Sequence, residues 1–318
     1  MEVTVIIPVY KAEKFLYEAT RSALALGEVQ EVLLIEDGSP DGSLSVCKEL
    51  AREHSKVTVL RHPGGSNRGA GASRNLGILN AGKGYIAFLD ADDCFTDIRF
   101  QRESEIFAEN PGCDGVYGAI GVSYVDDVGA HAWESRGLNE DSLTTVDKPI
   151  ASGELFDHLI GINEASPYTG YFSIDGLTVR RESLLKSSVL FDESLRLHQD
   201  TVFIMQLAYK LKLVSGEIDK PLAMRSVHAD NRFIRNTDVG GSRLMQYRSL
   251  LAWSVREKLA QPYQRLFADR YVNFLLATSG RWSAPGELVR QFTGYPALRQ
   301  NFRAGYVKQA LRKLLQGH

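Results

Sequence analysis

The sequence predicts an α/β protein with a mostly parallel sheet flanked by helices and a helical C-terminal extension. Two patterns support this prediction. In the N-terminal part, short and almost continuously apolar segments alternate with segments of helical period, which is typical of parallel strands that are covered on both faces. After residue 241 the apolar residues recur with helical period almost throughout, so this part is predicted to be helical.

The N-terminal part contains four predicted strands that alternate with three predicted helices. Runs of β-branched and other apolar residues predict the strands, at residues 3–9, 32–35, 57–60 and 85–89. Apolar residues at helical spacing predict the helices, at residues 11–26, around 44–51 and at 70–80. Ligands of such sheets bind beyond the carboxyl ends of the strands, so the polar residues after Val9, Ile35 and Leu89 are expected to meet at one edge.

Beyond residue 112 the alternation becomes weaker. It predicts strands at residues 115–125, 171–181 and within 216–227, and helices at 200–213, 242–260, 263–280 and 301–318. Residues 126–149 are polar and weakly periodic, and we interpret them as a mobile loop or insertion. The boundary to the helical extension is expected between Arg232 and Gly241.

The composition limits the classes of protein to consider. Of 318 residues, 44% are hydrophobic and 24% are charged, as is ordinary for a globular protein. A net charge of −2 gives no overall basic field, so a nucleic-acid partner is not expected. Cys47, Cys94 and Cys113 fit neither a CxxC pair nor a disulfide framework, which favours a reducing compartment. No secretory signal or membrane span is predicted, so a cytoplasmic location is expected.

The segment GYIAFLDADDCF, residues 84–95, ends an apolar strand with three aspartates. Because side chains alternate along an extended chain, Asp90 and Asp92 are predicted to point the same way. Two carboxylates on one side suit a hard cation such as Mg²⁺ or Mn²⁺, which can also bind phosphate oxygens. The alternative is that one aspartate caps the next helix and the others are solvated.

A glycine-rich segment, residues 62–82, suggests a phosphate contact. Its glycines permit close backbone approach, and Arg68 and Arg74 flank a predicted helix start whose amide groups can bind an anion. The spacing matches neither a P-loop nor a dinucleotide-binding fingerprint. The alternative is a surface loop in which Arg74 forms a salt bridge.

Two further aspartates can each have a structural or a chemical role. Asp37, in EDGSPDGS, follows the second predicted strand and can accept the imide N–H of a uracil ring or cap the next helix. Asp200, in HQDTVF, begins a predicted helix, where it can act as an N-cap or as a general base toward a hydroxyl.

In combination, these segments resemble the inverting family 2 glycosyltransferases, which have a GT-A fold and use nucleotide-diphosphate sugars. The family pattern V-x-V-I-I-P-x-Y-N matches residues 3–11 with Lys11 in the last place, and D-D-G-S matches 36–39 with Glu36 first. The pattern N-x-G-x-x-x-A-R-N-x-G matches 67–77 with a serine before the arginine, and F-L-D-x-D-D matches 88–93. The family's E-D base motif corresponds to Gln199 and Asp200, so one carboxylate is missing.

The resemblance implies roles for the matching residues. It assigns donor binding to Pro8, Tyr10, Asp37, Asn67, Arg74, Asp90, Ala91 and Asp92. Among these, Pro8 and Tyr10 would frame the nucleotide base, Asp37 would bind uracil, and Arg74 would lie near the base or the diphosphate. Asp90 would touch the ribose or a metal-bound water, while Mn²⁺ or Mg²⁺ would be bound by Asp92 with Asp90 and His228. Asp200 would be the catalytic base.

The implied organisation follows from these roles. A GT-A domain would span residues 1–235, with a Rossmann-like nucleotide-binding half at 1–112 and an acceptor-binding half at 113–235, before a helical region at 236–318. The implied reaction transfers a hexose or N-acetylhexosamine from a UDP-sugar to a hydroxyl of a saccharide or lipid-linked saccharide, in bacterial cell-surface polysaccharide synthesis. Candidate acceptor contacts, with core packing as the alternative for the aromatic ones, are Trp133, Tyr168, Tyr171 and Asp175.

Three questions stay open at the level of sequence. The basic amphipathic segment 302–315 contains no acidic residue; it can lie on the inner face of an anionic membrane, pack on a second copy of the chain, or pack on its own domain. A nucleotidyltransferase acting on a sugar phosphate would use a similar sheet and aspartate pair. A non-catalytic carbohydrate-binding or scaffold subunit is favoured by Gln199 alone.

Overall fold

The computed structural model describes residues 1–135, 137–162, 170–231 and 239–278. The predicted helix at 301–318, Tyr168 and Arg232 lie outside the described residues. In chain order, the strands are β1 (Val3–Val9), β2 (Val29–Glu36), β3 (Val57–Arg61), β4 (Tyr85–Phe88), β5 (Cys94–Phe95), β6 (Gly115–Tyr117), β7 (Ile120–Tyr124), β8 (Leu177–Arg180), β9 (Leu213–Ser215) and β10 (Ala223–Val227).

Helices follow most of the N-terminal strands, as the alternating pattern predicts. In chain order they are α1 (Leu16–Leu24), α2 (Ser43–Glu53), α3 (Ala70–Asn80), α4 (Gln101–Glu109), α5 (Asp127–Glu134), α6 (Ser152–Ile160), α7 (Arg181–Ser187), α8 (Gln199–Lys210), α9 (Val239–Arg256) and α10 (Gln261–Thr278). Short 3₁₀ turns span Pro63–Gly65 and Ile174–Gly176.

The described strands form two sheets. The larger has the order β3-β2-β1-β4-β8-β6-β9, and the smaller has the order β5-β10-β7. Strands β1 to β4 pair in parallel, whereas β8 runs antiparallel to both β4 and β6. The predicted α/β class with a mostly parallel sheet is therefore confirmed.

Strand β1 is covered on both faces, which explains why its sequence is apolar without alternation. Val5 and Ile7 belong to a buried cluster that also contains Leu16 of α1 and Leu50 of α2. On the other face, a Cβ placed on Gly77 of α3 would come within 2.5 Å of the Ile6 side chain. Helix α3 therefore packs close to β1 because residue 77 has no side chain.

Two predictions for the region after residue 112 are wrong. The apolar run 115–125 is not one strand: β6 pairs with β8 and β9 in the larger sheet, whereas β7 pairs with β10 in the smaller one. The segment 126–149 is not irregular throughout, since it contains α5, whose N-terminus is capped by Asp126 accepting the Gly129 N–H at 2.7 Å. A short polar helix gives a weak periodic signal, and this explains the second error.

Contacts divide the chain into two compact units. The first consists of Met1–Glu193 and Phe203–Arg235, and the second of Ser194–Val202 and Asn236–His318. In the second unit, α9 and α10 pack together, with the rings of Tyr247 and Phe274 stacked at 5.5 Å. Among the described residues, no helix combines the length and the apolar character that crossing a membrane requires.

Candidate active site

Three polar segments meet at the carboxyl edge of the larger sheet, as expected from its parallel order. They follow β1, β2 and β4, which are neighbours in the sheet. The Asp37 N–H donates to the Val9 carbonyl at 2.9 Å, and the Leu89 N–H donates to the Ile6 carbonyl at 3.1 Å. The candidate residues after these strands are thereby held in one region of the first unit.

Asp37 holds the glycine-rich loop through its carboxylate. One oxygen accepts the Arg68 N–H at 2.7 Å and the other accepts the Gly69 N–H at 2.8 Å. The Asn67 amide donates to the Asp37 carbonyl at 3.0 Å. Gly38 has φ +69°, and a Cβ there would lie 2.6 Å from the carbonyl oxygen of Gly65. The buried Asp37 carboxylate therefore fixes the path of this loop.

The loop and the start of α3 are also tied to the segment 191–193. The Asn75 amide donates to the Phe191 carbonyl at 3.0 Å and accepts the Phe191 N–H at 2.8 Å. Glu193 accepts from Arg68 at 2.9 Å and from Asn75 at 3.2 Å. Arg68 and Asn75 of the glycine-rich segment thus hold the loop and the start of α3 against residues 191–193.

Arg74 forms an ion pair with Asp90 at the end of β4. The arginine is buried on α3, and its guanidinium lies 5.4 Å from the centroid of the Phe191 ring. Arg74 therefore does form the salt bridge given as the alternative, but it is buried rather than placed on a surface. The guanidinium supplies the counter-charge that a cluster of aspartates requires.

A second group of carboxyls lies beneath the Asp90–Arg74 pair. Oxygen atoms of Asp90, Asp93 and Asp175 all lie within 4.8 Å of one another. Asp175 accepts the Asp90 N–H at 3.1 Å, and Asp93 accepts the Ser226 N–H at 2.9 Å. Asp93 and Asp175 are both buried.

Burial changes the ionisation of these two carboxyls. Burial, together with the negative charges of Asp92, Asp175 and Asp90, raises the pKa of Asp93 well above its ordinary value. Burial and the charge of Asp90 raise the pKa of Asp175 to about 7. Because protonated carboxyls are favoured here, the cluster holds less negative charge near neutral pH than its three aspartates suggest.

Asp92 has a different environment, on the open side of the same turn. Its Oδ2 lies 3.3 Å from Nε2 of His228 and 3.3 Å from the side-chain nitrogen of Asn231. The Asp92 side chain is 35% exposed, compared with 8% for His228. The imidazole stacks on Phe15 with ring centroids 4.7 Å apart. The structure thus brings together two of the three predicted metal-ligating residues.

The residues around Asp92 fit a divalent cation. A carboxylate oxygen and an imidazole nitrogen face each other at a distance that a shared ion or proton would bridge, and Asp92 is exposed enough for further ligands. The group of Asp90, Asp93 and Asp175 also has the spacing of a cation site, but Asp90 is paired with Arg74 and the other two carboxyls are buried. We therefore favour Asp92 and His228 as the metal-binding pair.

The predicted base-framing residues lie at the end of β1. Pro8 pairs within the sheet opposite Ile35. Tyr10 is 39% exposed, and the Nζ atom of Lys11 lies 5.6 Å from the centroid of its ring. Ala91 is buried between Asp90 and Asp92, where a small side chain suits the tight turn.

Asp200 lies at the start of α8, in the second unit. Its Oδ1 accepts the N–H of Thr201 at 2.8 Å. The preceding Gln199 is buried, and its Oε1 has no hydrogen-bond partner within the described part of the chain. The role of Asp200 as catalytic base stays a prediction.

The candidate acceptor contacts differ in their surroundings. Trp133 is buried and its indole N–H donates to the Asn139 carbonyl at 3.3 Å, which is the packing role given as the alternative. Asp175 is buried beneath Asp90 rather than placed on a surface. Arg225 donates to the Ser173 hydroxyl at 3.4 Å beside this carboxyl.

Two contacts of the site region could not be predicted, although Asp175 itself is a predicted acceptor contact. The contact of Asp175 with Asp90 joins residues 85 positions apart, and that of Asn231 with Asp92 joins residues 139 positions apart. Local periodicity does not report such contacts. The spacing His-x-x-Asn, typical of a short polar turn, is the one local feature that points to Asn231.

The sheet order and the polar edge of the first unit match the GT-A fold. Residues 4–155 match the family model described as "Glycosyl transferase family 2". The part of the chain that contains the acidic turn and the glycine-rich loop therefore matches this family, which confirms the predicted resemblance to family 2 glycosyltransferases.

Curated relatives and solved structures agree with this assignment. "Minor teichoic acid biosynthesis protein GgaA" of Bacillus subtilis strain 168 is 31% identical over 222 residues, covering 66% of this chain and 44% of the relative. An uncharacterized glycosyltransferase of Rickettsia felis is 27% identical over 280 residues, covering 87% and 40%. The crystal structure of S. aureus TarS 1–349 in complex with UDP-GlcNAc covers 100% of this chain and 93% of that chain, with a TM-score of 0.60 and 15% identity.

The comparisons differ in what they show about this chain. At 15% identity the likeness to TarS shows the fold. The chain spans 44% and 40% of the length of the two curated relatives.

Proposed function

We propose that this chain is a metal-dependent, inverting glycosyltransferase. It would move a hexose or N-acetylhexosamine from a UDP-sugar to a hydroxyl of a saccharide or lipid-linked saccharide, in bacterial cell-surface polysaccharide synthesis. The observation that supports this most directly is the pairing of Asp92 with His228 at 3.3 Å, beside the Arg74–Asp90 ion pair. Cation ligands and a buried guanidinium at one sheet edge suit a diphosphate.

The donor would be held by the residues at the ends of β1, β2 and β4. Tyr10 offers an exposed ring for stacking on the nucleotide base. Asp37 fixes the loop 67–69, so its buried carboxylate would act on uracil through remaining lone pairs or through the loop that it holds. The choice of UDP is supported by the TarS 1–349 complex of similar fold, in which that protein binds UDP-GlcNAc.

Asp92 and His228 would hold the cation. A bound Mn²⁺ or Mg²⁺ would neutralise the charge that develops on the departing diphosphate. A nitrogen ligand favours Mn²⁺ over Mg²⁺, because Mg²⁺ prefers oxygen ligands alone. Arg74 would add a second positive charge at the same edge.

Asp200 would accept the proton of the acceptor hydroxyl. The acceptor oxygen forms the new bond to the anomeric carbon from the face opposite the diphosphate, and the anomeric C–O bond to the diphosphate breaks. The electron pair of that bond leaves with the diphosphate, and the sugar configuration is inverted. General-base assistance of this kind contributes roughly 10²- to 10⁴-fold in rate.

Calorimetric titration with UDP tests the proposal. Binding is expected with Mn²⁺ and is expected to be much weaker with EDTA, whereas GDP and ATP should bind weakly in both buffers. Binding of no nucleotide would favour a scaffold subunit, and a clear preference for ATP would favour a nucleotidyltransferase. Asp200→Asn should then bind UDP like the unaltered chain while losing transfer from UDP-sugars.

A further inference from the structure

Asn231 closes a turn directly after β10. Its Oδ1 accepts the His228 N–H at 2.6 Å, and its own N–H donates to the His228 carbonyl at 3.0 Å. Its side-chain nitrogen donates to the Ser226 carbonyl at 3.2 Å. Since one end of the amide meets an N–H and the other a carbonyl, only one orientation of the amide satisfies both contacts.

The fixed orientation directs the amide nitrogen toward the candidate metal-binding pair. This nitrogen lies 3.1 Å from Nε2 of His228 and 3.3 Å from Oδ2 of Asp92, and those two atoms are themselves 3.3 Å apart. The NH₂ group has two hydrogens, and one of them serves the Ser226 carbonyl. One hydrogen remains. If Nε2 of His228 and Oδ2 of Asp92 bind a cation, this hydrogen can donate to another lone pair of Oδ2, so the amide would not compete for the imidazole lone pair.

The imidazole ring and the backbone on either side of His228 are also held. Phe15 stacks on the ring with an interplanar angle of 23°. Asp126 accepts the Ala229 N–H at 3.0 Å while it caps α5, which anchors the turn after His228. The Ser226 N–H donates to Asp93 at 2.9 Å, which anchors the chain before it.

From this geometry we infer that Asn231 is a positioning residue, which holds the His228 imidazole against the Asp92 carboxylate. The inference rests on the proposed metal-dependent function and deepens it, because it names the residue that sets the direction of one metal ligand. Hydrogen-bond partners of metal ligands typically change metal affinity by roughly 10- to 100-fold when they are removed.

The test measures Mn²⁺ affinity of the full chain without donor, by electron paramagnetic resonance of the free ion. Asn231→Ala is expected to weaken binding by roughly 10- to 100-fold. Asn231→Ser is the second variant, because its hydroxyl can still accept the His228 N–H and preserve the turn, but it has no amide to offer the ligands. Asn139→Ala is the matched control, since Asn139 forms an exposed turn with Ser142, and it should bind Mn²⁺ like the unaltered chain.

A double-mutant cycle separates positioning from a general loss of structure. If Asn231 acts through His228, then Asn231→Ala should add nothing to the loss caused by His228→Ala. A loss of equal size with and without His228 would overturn the inference, as would unchanged Mn²⁺ affinity in both Asn231 variants.

The same titrations distinguish failure of the inference from failure of the proposed function. If Asp92→Ala and His228→Ala lose Mn²⁺ but the Asn231 variants do not, the metal pair stands and the positioning role is wrong. If the unaltered chain binds no Mn²⁺, or if Asp92→Ala binds it unchanged, the proposed metal pair is wrong and the inference falls with it.

Discussion

Asp92 and Asp93 are adjacent in the sequence but have opposite environments. Asp93 is 3% exposed and accepts a backbone N–H from Ser226. The Asp92 side chain is 35% exposed, and its partners are the side chains of His228 and Asn231. Burial and a backbone contact give Asp93 a structural role, whereas exposure would leave Asp92 available to the proposed cation and diphosphate.

The largest expected effect comes from removing the charge of the exposed carboxylate. Asp92→Asn should lower metal-dependent transfer by roughly 10³-fold, because an amide is a poor substitute for an anionic metal ligand. Asp93→Asn is the matched change one residue on. It should retain transfer within about tenfold, because the amide oxygen can still accept the Ser226 N–H. Initial rates at saturating Mn²⁺ measure both.

An equal loss of transfer in the two variants would contradict the different roles given to Asp92 and Asp93. It would mean that the buried carboxyls take part in metal binding, as the 4.8 Å spacing of Asp90, Asp93 and Asp175 allows. Mn²⁺ titration of Asp93→Asn would then show a matching loss of affinity.

The second prediction concerns the pH dependence of stability. Burial and Asp90 raise the pKa of Asp175 to about 7 from an ordinary value of 3.8. The protonated form is favoured in the folded chain, so its contribution is present below the unfolded pKa and is lost as pH rises through about 7. In EDTA, the free energy of unfolding should fall by on the order of 2 kcal/mol between pH 5 and pH 8.

Asp175→Asn tests the source of that slope, because an amide cannot ionise. Urea unfolding of this variant should show a flatter profile between pH 5 and pH 8 than the unaltered chain. An unchanged slope would show that the pH dependence of the free energy of unfolding comes from groups other than Asp175. Part of the slope is expected to remain, since burial raises the pKa of Asp93 as well and the two carboxyls titrate as a pair.

The N-terminal half of the fold could be predicted because its signals are local. Strand β1 and helix α3 have the predicted bounds, Val3–Val9 and Ala70–Asn80. These strands are buried on both faces and the helices between them are amphipathic, so the pattern changes where the element changes. The run 115–125 is equally apolar, but its two parts belong to different sheets, and apolarity does not specify which sheet a residue joins.

The candidate site also contains residues that local sequence could predict and contacts that it could not. Asp90 and Asp92 could be proposed because they follow one strand, and His228 because of the resemblance to the family. The contacts of the supporting residues Asp175 and Asn231 could not be predicted, since they depend on how distant segments pack. Asp175 reaches Asp90 through the antiparallel strand β8, and Asn231 reaches Asp92 through the end of β10 in the smaller sheet.

The third prediction concerns Asp37, whose buried carboxylate holds the glycine-rich loop in place. Asp37→Asn replaces one of two acceptor oxygens by an NH₂ group, which would face the N–H of Arg68 or Gly69. An unsatisfied buried donor costs about 1–3 kcal/mol, so the melting temperature should fall by about 2–10 °C. Asp97→Asn, on an exposed residue, should change it by less than about 2 °C. An equally small change in Asp37→Asn would show that the loop does not depend on this carboxylate.

The smallest expected effect is at Lys11, beside the exposed Tyr10. Lys11 has φ +56°, in the left-handed region that costs a lysine roughly 1–2 kcal/mol. Asparagine tolerates this conformation, so Lys11→Asn should stabilise the chain by about 0.5–1 kcal/mol, while Lys14→Asn, at an exposed residue without positive φ, should not. Thermal unfolding measures the gain in stability, and UDP titration tests whether Lys11 takes part in donor binding. A more stable variant that binds UDP less tightly would place Lys11 among the donor-binding side chains, because strain that is kept at a site edge then serves the ligand. A gain with unchanged UDP affinity would leave the lysine without a part in donor binding, and a loss of stability would show that contacts of Lys11 outweigh its strain.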